Sequence, residues 1–409
     1  MTIRLKELGS QQPPVFRINL SHPPEERYTA LAHIYKDRMR SVTNIFDDVI
    51  HNLSPNLPTK PIHWLARLFL RRLYTDEETA EIRGISRVTG IELYLLICLN
   101  VVLDLLMGCT SGGVRMLDGL WTRMVHFRTL DWGMDPLRSL IVQLEFVRDD
   151  APDKVLATCI TYVGFVGVLT GVRKDLSVSL NFRAVHDSRR NVGFYLNYLL
   201  VLLGLRQSVS SLLRQCILPT MEGSSRVSNT STLEEILEEV PCLRTTAAYL
   251  IFCDGGSIVA MEKDYKTAFW HTVSVMDEAI AKDRGYTGLR VADGMQSMAE
   301  IIEESKERQA SMQEKWDRRV KDHGVFQQQL KRRRVKNASL PHSRPIHLEW
   351  KRNTTMGDDS ESEVSVTLGT VLGWLCSDPI VNEDTHYAVL MDPVEGRFIY
   401  SGQFPAQVS

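Results

Sequence analysis

Apolar residues recur at helical spacing through most of the first hundred residues. The segment Glu26–Asn52 has this period, and a short alternating run at Pro14–Leu20 predicts a strand before it. The longest apolar stretch covers Ile91–Gly108, where a glutamate, an asparagine and an aspartate interrupt it. Because such residues are costly at bilayer depth, the stretch predicts a buried helix and not a membrane span.

After residue 108 the pattern changes to short alternating runs with glycine and aspartate breaks, which predict β-strands. The predicted strands are Met124–Arg128, Ser139–Val147, Ala157–Val168 and Leu176–Phe182, and the predicted helices are Phe194–Leu205, Val209–Leu218, one with a capping box at Thr232–Glu235, and Thr367–Leu375. Hairpins are predicted at Ala247–Met261 and at His386–Tyr400. This order predicts an α+β fold with layered antiparallel sheets.

One helical segment combines large apolar side chains with basic ones. Residues 63–73 contain a tryptophan, a phenylalanine, four leucines and three arginines. An amphipathic helix that packs on the domain is one interpretation. The other is a helix that docks on a lipid surface as a peripheral membrane contact, because such helices combine aromatic and basic residues.

Residues 280–365 differ from the rest of the chain in their high charge. Within them, Ala299–Lys321 has helical spacing and predicts one exposed helix. We interpret the whole segment as a charged, partly disordered insertion.

Composition excludes several function classes. The chain has 409 residues, of which 44% are hydrophobic and 24% charged, as in ordinary globular proteins. A formal net charge of −2 creates no global field for nucleic acid, so no nucleic-acid partner is predicted. The seven cysteines form no CxxC pair, and neither a phosphate loop nor a dinucleotide fingerprint occurs. No metal and no cofactor are therefore predicted.

Cys109 follows the long apolar stretch and opens the glycine-rich segment Cys109–Val114. A lone cysteine in such a place is most often a small buried core residue. Alternatively, cleavage of the Gly108–Cys109 bond would free an α-amine, whose reference pKa of about 7.7–8.0 suits it to accept the thiol proton. One residue would then supply both the nucleophile and its base.

Arg128 and Asp131 lie three residues apart in the run Phe127–Trp132. One interpretation is a surface ion pair at the end of a strand. In the other, the arginine polarises an acyl oxygen and the carboxylate orients an α-ammonium group. Positions i and i+3 of a regular strand point to opposite faces, so a turn or bulge near Thr129 is expected if both residues serve Cys109.

The three other polar candidates are histidines. His126, His186 and His271 have no recognisable partner in the sequence, and a structural role is expected for each.

Several blocks occur in one order along the chain. They are Pro14–Leu20, Pro23–Arg27, Gly108–Ser111, Arg128–Trp132, Tyr162–Gly171, Ser179–Arg183 and Pro379–Asn382. Together they resemble the family of acid ceramidase and the N-acylethanolamine-hydrolysing acid amidase, which are cysteine N-terminal-nucleophile (Ntn) hydrolases. The resemblance covers most of the chain except residues 280–365.

The resemblance implies an αββα sandwich, in which two antiparallel sheets lie between helices, with a mostly helical segment at the N-terminus. It also implies self-cleavage before Cys109. The products would be an α-subunit-like segment, residues 1–108, and a β-subunit-like domain, residues 109–409, which together form a self-derived heterodimer.

The resemblance further implies a set of residue roles. Cys109 would form a thioester with the acyl group, Arg128 would stabilise substrate and intermediate, and Asp131 would orient the α-amine. Supporting or substrate-contacting roles are implied for Asn181, Arg183 and Arg308.

The implied substrate is an N-acyl lipid, first of all ceramide, which would yield sphingosine and a fatty acid. N-acylethanolamines or bile-salt-like amides are the alternative. A catalytically degenerate homologue that binds lipid is a third possibility. Phe182 stands where the family has a glutamate, and the stretch around Val275–Met276 lacks the family's oxyanion-hole asparagine.

The N-terminal sequence and the family resemblance predict different cellular compartments for the protein. The N-terminal residues Met1–Pro14 contain no apolar core of the kind found in signal peptides, so the sequence alone predicts the cytoplasm. The resemblance instead implies a lysosome, a vacuole or secretion.

Overall fold

The structure is a computed structural model. It describes residues 10–47, 58–102, 108–118, 121–183, 191–218, 231–273, 303, 306–324 and 364–405.

The N-terminal part is mainly helical, as predicted. Strand β1 (Val15–Asn19) precedes helices α1 (Thr29–Ser41), α2 (Thr59–Phe69), α3 (Asp76–Thr89) and α4 (Leu93–Val102). Helix α3 has both expected end signals: the Thr75 hydroxyl accepts the Glu78 N–H at its start, and Gly90 adopts a φ of 73° at its end. Helix α4 lies in the predicted apolar stretch, and its residue Ile97 is fully buried.

Eight strands form the larger sheet, in the order β1-β4-β5-β6-β7-β8-β9-β10. These later strands are β4 (Ile141–Val147), β5 (Ala157–Tyr162), β6 (Thr170–Arg173), β7 (Leu176–Phe182), β8 (Ala248–Cys253), β9 (Ile258–Lys263) and β10 (Ala268–Val273). One pair departs from the predicted antiparallel arrangement, because β1 runs parallel to β4. These two strands are joined through the N-terminal helices and not by a hairpin, so no tight turn imposes an antiparallel direction.

Four strands form the smaller sheet, in the order β12-β11-β3-β2. They are β2 (Gly108–Asp118), β3 (Trp121–Asp131), β11 (Thr385–Asp392) and β12 (Arg397–Gln403). The glycines of β2 allow close packing: a Cβ atom at Gly112 would lie 2.7 Å from the ring of Phe127, and one at Gly113 would lie 2.7 Å from the side chain of Ile258.

The two sheets face each other, because β2 contacts β7, β8 and β9. Helix α6 (Val209–Ile217) covers β6 and β7, with α5 (Asn191–Leu202) before it and α7 (Leu233–Glu239) after it. On the far side, α9 (Leu368–Leu375) packs on β2 and β3. The predicted αββα sandwich is therefore confirmed.

Helix α8 spans residues 306–324, inside the charged segment. The predicted helix is confirmed, but one face of it is not exposed, because Met312 and Trp316 are each only 4% exposed and pack against Phe127 of β3 and its neighbours. These two apolar residues are four positions apart and form one narrow stripe, which the surrounding charged residues concealed in the sequence. Apart from residues 303, 306–324 and 364–365, the predicted insertion lies outside the described residues.

No helix within the described ranges is both long enough and apolar enough to cross a bilayer.

Candidate active site

Cys109 is the second residue of β2 and lies partly buried between the two sheets. Its Sγ atom is 3.2 Å from Nη2 of Arg128 and 3.9 Å from the carbonyl oxygen of Leu180 on β7. The sequence suggested either a plain core position or a site position. The structure places the thiol against a fully buried guanidinium group, which an apolar core position would not provide.

Arg128 is held by several acceptors and forms no surface ion pair. Its Nη2 atom also donates to the carbonyl oxygen of Leu180 at 2.6 Å, and its Nη1 atom donates to the carbonyl of Leu169 and the hydroxyl of Thr170. Thr170 Oγ1 in turn lies 2.8 Å from the hydroxyl of Tyr387. These bonds fix the plane of the guanidinium group and aim one of its edges at the thiol.

Burial raises the pKa of the Cys109 thiol above its ordinary value, although the charge and hydrogen bond of Arg128 oppose the rise. In the uncleaved chain the thiol is therefore mainly protonated near neutral pH. A nucleophile in this environment needs a base close by.

Asp131 ends strand β3 and lies opposite Gly108 in the register of β2 and β3. It is buried, its Oδ1 accepts a hydrogen bond of 2.7 Å from the Thr385 hydroxyl, and its Oδ2 is 3.9 Å from Nε of Arg308. Burial raises the pKa of Asp131 to about 6, against the lowering effect of Arg308 and Thr385. The backbone of Asp131 therefore pairs with Gly108, the residue that precedes Cys109.

The bulge expected near Thr129 lies elsewhere. The pairing of β2 with β3 is continuous through Thr129, and the register shift occurs on β11, between Thr385 and Tyr387, opposite the last two residues of β3. Arg128 and Asp131 thus keep the opposite orientations of a regular strand. Arg128 reaches the thiol, whereas Asp131 lies beside the backbone that precedes it.

Asn181 lies near Cys109, whereas Arg183 takes part in a separate ion cluster. The side-chain oxygen of Asn181 accepts a hydrogen bond of 2.8 Å from Ser111, two positions after Cys109 on the same face of β2. Arg183 lies 3.2 Å from Asp264 and 3.5 Å from Glu262. Its described ion pairs therefore tie it to β9 and the following turn.

Three further positions from the resemblance have different outcomes. Arg308 on α8, for which a supporting or substrate-contacting role is implied, is buried beside Asp131. Phe182 is partly buried at the end of β7, where it pairs with Ala248 and supplies no carboxylate. Val275–Met276, where the family asparagine was expected, lies outside the described residues.

The sequence prediction missed several residues that hold the site. Thr385 and Tyr387 come from β11, more than 250 residues after Arg128 and Asp131, so no local pattern connects them with the site. Tyr162 also belongs to this group, because its hydroxyl lies 2.7 Å from Nδ1 of His386 and its ring packs edge-on against that imidazole. Only Tyr162 fell within a block that carried the resemblance.

The three histidines occupy different environments. His126 is fully buried between the sheets, in contact with Ser177 and Ser179. His271 is exposed on the edge strand β10, and His186 lies outside the described residues. Among the side chains that the structure describes, no group of three or more His, Cys, Asp or Glu residues could hold a metal ion.

The N-terminal part matches a known protein family. The family described as the beta subunit of N-acylethanolamine-hydrolyzing acid amidase matches residues 11–74. These residues precede Cys109, so that description gives the label beta to part of the segment that we predicted to be α-subunit-like.

Known proteins align with about half of their length. The N-acylethanolamine-hydrolyzing acid amidase of Caenorhabditis elegans is 27% identical over 186 residues, which are 43% of this chain and 49% of that protein. Acid ceramidase of Bos taurus is 28% identical over 187 residues, 42% of this chain and 45% of that protein. The match therefore spans about half the length of these curated relatives.

A solved structure of the Caenorhabditis elegans N-acylethanolamine-hydrolyzing acid amidase ortholog aligns with a TM-score of 0.40 and 16% identity, over 70% of this chain and 93% of that one. The match at the N-terminus and the two curated relatives make this chain similar to acid ceramidase and to N-acylethanolamine-hydrolyzing acid amidase.

Proposed function

We propose that this chain is an amidohydrolase that cleaves the linear amide of N-acyl lipids, with Cys109 as its nucleophile after self-cleavage between Gly108 and Cys109. The observation that carries the proposal is the buried contact of 3.2 Å between the thiol and Arg128. The names of the two curated relatives support amide hydrolysis as the reaction type.

The raised pKa of the Cys109 thiol defines what the mechanism must supply. In the first step the sulfur attacks the carbonyl carbon of Gly108, and the thiol proton passes to the nitrogen of Cys109 as the carbon–nitrogen bond breaks. Water then hydrolyses the resulting thioester, which releases the carboxyl group of Gly108 and restores the thiol. This step frees the α-amine of Cys109, which then serves as the base for the thiol. Asp131 lies opposite Gly108, and the role we propose for its carboxylate is to hold that amine as an ammonium ion.

Turnover of the substrate repeats this chemistry on an acyl amide. The thiol proton passes to the α-amine, the sulfur bonds to the acyl carbon, and the leaving amine takes a proton from the ammonium group. Water then attacks the thioester, which releases the fatty acid and restores the thiol. Arg128, with one edge towards the sulfur, stabilises the charge that develops at the reacting centre.

Ceramide is the substrate that we propose first, and N-acylethanolamines or bile-salt-like amides are the alternative. The curated relatives include both an acid ceramidase and an N-acylethanolamine-hydrolyzing acid amidase, so the family allows more than one head group. A non-catalytic, lipid-binding homologue is the competing function, and Phe182, in place of a carboxylate, is the observation that favours it.

We infer that the segment 63–73 contacts a lipid surface. In α2, Trp64 is 62% exposed and Phe69 53% exposed, and Leu65 and Leu68 beside them are also exposed. Three arginines lie in the same segment, and helices that lie in a membrane interface combine aromatic and basic residues in this way. Such a surface would bring the enzyme to an N-acyl lipid substrate.

The test compares wild type with Cys109→Ala on ceramide and on an N-acylethanolamine, with release of fatty acid as the measurement. We expect the variant to lose about 10³-fold or more in turnover, because the sulfur forms the covalent intermediate. The exposed Cys242, changed to alanine, is the matched control and should retain full activity. Undiminished turnover in Cys109→Ala would contradict the proposal.

A denaturing gel tests self-cleavage and distinguishes the proposed hydrolase from a non-catalytic, lipid-binding homologue. Cleavage before Cys109 gives fragments of about 12 and 34 kDa, in proportion to the 46.6 kDa of the chain, and the larger one begins with Cys109. A full-length band that persists at acid and at neutral pH, in a sample that binds lipid, would support the non-catalytic homologue.

A further inference from the structure

A chain of buried polar groups connects the two sheets beside Cys109. His126 on β3 lies 3.0 Å from the hydroxyl of Ser177 through Nδ1, and 2.9 Å from that of Ser179 through Nε2. The Ser179 hydroxyl donates to Ser111 at 3.1 Å, and the Ser111 hydroxyl donates to Oδ1 of Asn181 at 2.8 Å. This series of hydrogen bonds therefore runs from His126 to Asn181. Asn181 is adjacent to Leu180, whose carbonyl oxygen contacts the Cys109 thiol.

The number of protons that each of these groups can donate fixes the direction of the hydrogen bonds between them. Burial lowers the pKa of His126 to about 3, so its ring is neutral and has one donor and one acceptor nitrogen. Ser179 has a single proton, which goes to Ser111, and it must therefore accept from Nε2 of His126. The remaining ring nitrogen, Nδ1, accepts from Ser177, whose alternative acceptor, the carbonyl of Cys253, is more distant at 3.4 Å.

The direction of these hydrogen bonds determines the orientation of the Asn181 side-chain amide. Ser111 accepts from Ser179 and gives its own proton to Oδ1 of Asn181. With the oxygen held in this way, the two donor hydrogens on Nδ2 are left for another acceptor. Asn181 follows Leu180, and the Leu180 carbonyl lies 3.9 Å from the Cys109 sulfur.

We propose that Asn181 donates a hydrogen bond from Nδ2 to the acyl oxygen of the substrate at Cys109, and that His126 is a positioning residue that fixes this orientation through Ser179 and Ser111. The inference rests on the proposed function. It names an amide carbonyl, whose oxygen becomes negatively charged in the tetrahedral intermediate, as the group that Asn181 recognises.

The arrangement complements that of Arg128. Arg128 holds the thiol but has three other acceptors, namely Leu180, Leu169 and Thr170. Asn181 provides a neutral donor from the facing sheet, on the residue that follows Leu180, whose carbonyl oxygen lies 3.9 Å from the sulfur. A preorganised donor of this kind typically accounts for a factor of about 10²–10³ in turnover.

The first experiment replaces Asn181 by aspartate, which keeps an oxygen acceptor for Ser111 and removes the donor. Steady-state kinetics on an N-acyl amide are measured for Asn181→Asp and for wild type. We expect kcat to fall by about 10²–10³-fold with little change in KM, because the lost bond forms mainly in the transition state. A kcat within about twofold of wild type would overturn the role of Asn181.

The second experiment tests positioning by comparing His126→Leu with His126→Gln. A glutamine amide nitrogen can replace Nε2 as the donor to Ser179, so Gln should restore most of the kcat that Leu loses. His126→Leu should also add no further loss in an Asn181→Ala background, since it acts through Asn181. The role of His126 would be overturned if His126→Leu lowered kcat by the same factor in the Asn181→Ala background as in wild type. It would also be overturned if His126→Gln did not restore kcat.

Ser179→Ala breaks the same chain with a smaller change of volume, and it replaces His126→Leu in this cycle if that variant fails to fold. Thr79→Val is the matched control, because Thr79 is a buried, hydrogen-bonded residue on α3 that takes no part in the hydrogen bonds between His126 and Asn181. It should lower the melting temperature and leave kcat unchanged.

Turnover by wild type and its loss in Cys109→Ala are established first. With both in hand, a failure of Asn181→Asp or His126→Leu to behave as expected overturns only the present inference. If wild type does not hydrolyse the amide, or Cys109→Ala still does, both the proposed function and this inference are overturned.

Discussion

At the scale of single residues, burial is the force that shapes the candidate site. It raises the pKa of the Cys109 thiol and of the Asp131 carboxyl group and lowers that of His126. All three groups are thereby shifted towards their neutral forms, while the fully buried Arg128 keeps its charge. In the proposed mechanism, the amine freed by cleavage is the base that takes the proton of this neutral thiol during turnover of the substrate.

The raised pKa of Asp131 predicts a pH-dependent stability. Its folded-state value of about 6 lies above the ordinary 3.8, so the contribution of the protonated group is fully present below pH 3.8 and is lost as the pH rises through 6. We expect Asp131→Asn to gain stability relative to wild type by about 2–3 kcal/mol between pH 4 and pH 7. Urea unfolding of the uncleaved Cys109→Ala background at both pH values measures this.

The matched control for Asp131 is Asp317→Asn, on the exposed side of α8. Its stability difference from wild type at the two pH values is the baseline with which that of Asp131→Asn is compared. A difference for Asp131→Asn that stays constant or shrinks as the pH rises would contradict the prediction.

The sequence could identify the reactive residues but not their partners. Cys109, Arg128 and Asp131 stand in motifs whose residue types suggest chemistry, and the structure brings the first two into contact. Ser177 and Ser179, by contrast, alternate with apolar residues as in any strand. Their contact with His126 depends on how two sheets face each other, which no local pattern encodes.

At the scale of elements, strong alternation predicted the strands well, and weak or mixed patterns did not. β4, β7 and the final hairpin were predicted, whereas β6, with only four residues, and the edge strand β10 were missed. β2 was missed because its glycines resemble a loop, although they permit close approach of the facing sheet. All three strands pair with strands next to them in the sequence, so their weak local patterns, and not distant partners, explain why they were missed.

Helix α2 is the element whose exposed face makes a specific prediction. Trp64 and Phe69 are more than half exposed, and a lipid surface is the apolar environment that we propose for them. We expect Trp64→Ser with Phe69→Ser to weaken binding to phosphatidylserine-containing vesicles by about tenfold or more, because each ring contributes about 1.5–3 kcal/mol when buried. Co-sedimentation with such vesicles measures the loss.

Val320→Ser is the control for α2, because Val320 is 40% exposed on a different helix. It should leave vesicle binding unchanged. Equal binding by wild type and the double variant would show that the exposed face of α2 is not a lipid contact.

At the scale of the whole molecule, the N-terminal segment is joined to the rest of the chain by a strand and by buried charge. β1 completes one edge of the larger sheet, next to β4. Glu81 on α3 is fully buried, 2.6 and 2.7 Å from the two terminal nitrogens of Arg214 on α6, and 3.0 Å from Arg27. Under the proposed cleavage, Glu81 and Arg214 would belong to different fragments.

Removing one member of this buried pair should therefore weaken both the fold and the association of the fragments. We expect Arg214→Met to cost about 3–5 kcal/mol, because Glu81 is left with a single cationic partner in a buried site. Urea unfolding measures the cost in the uncleaved chain, and size-exclusion chromatography in moderate urea measures fragment retention after cleavage. The exposed pair Arg17–Glu145 also joins the two fragments, and Arg17→Met should cost about 1 kcal/mol or less. Equal costs for the two variants would contradict the view that buried charge, more than surface pairing, holds the fragments together.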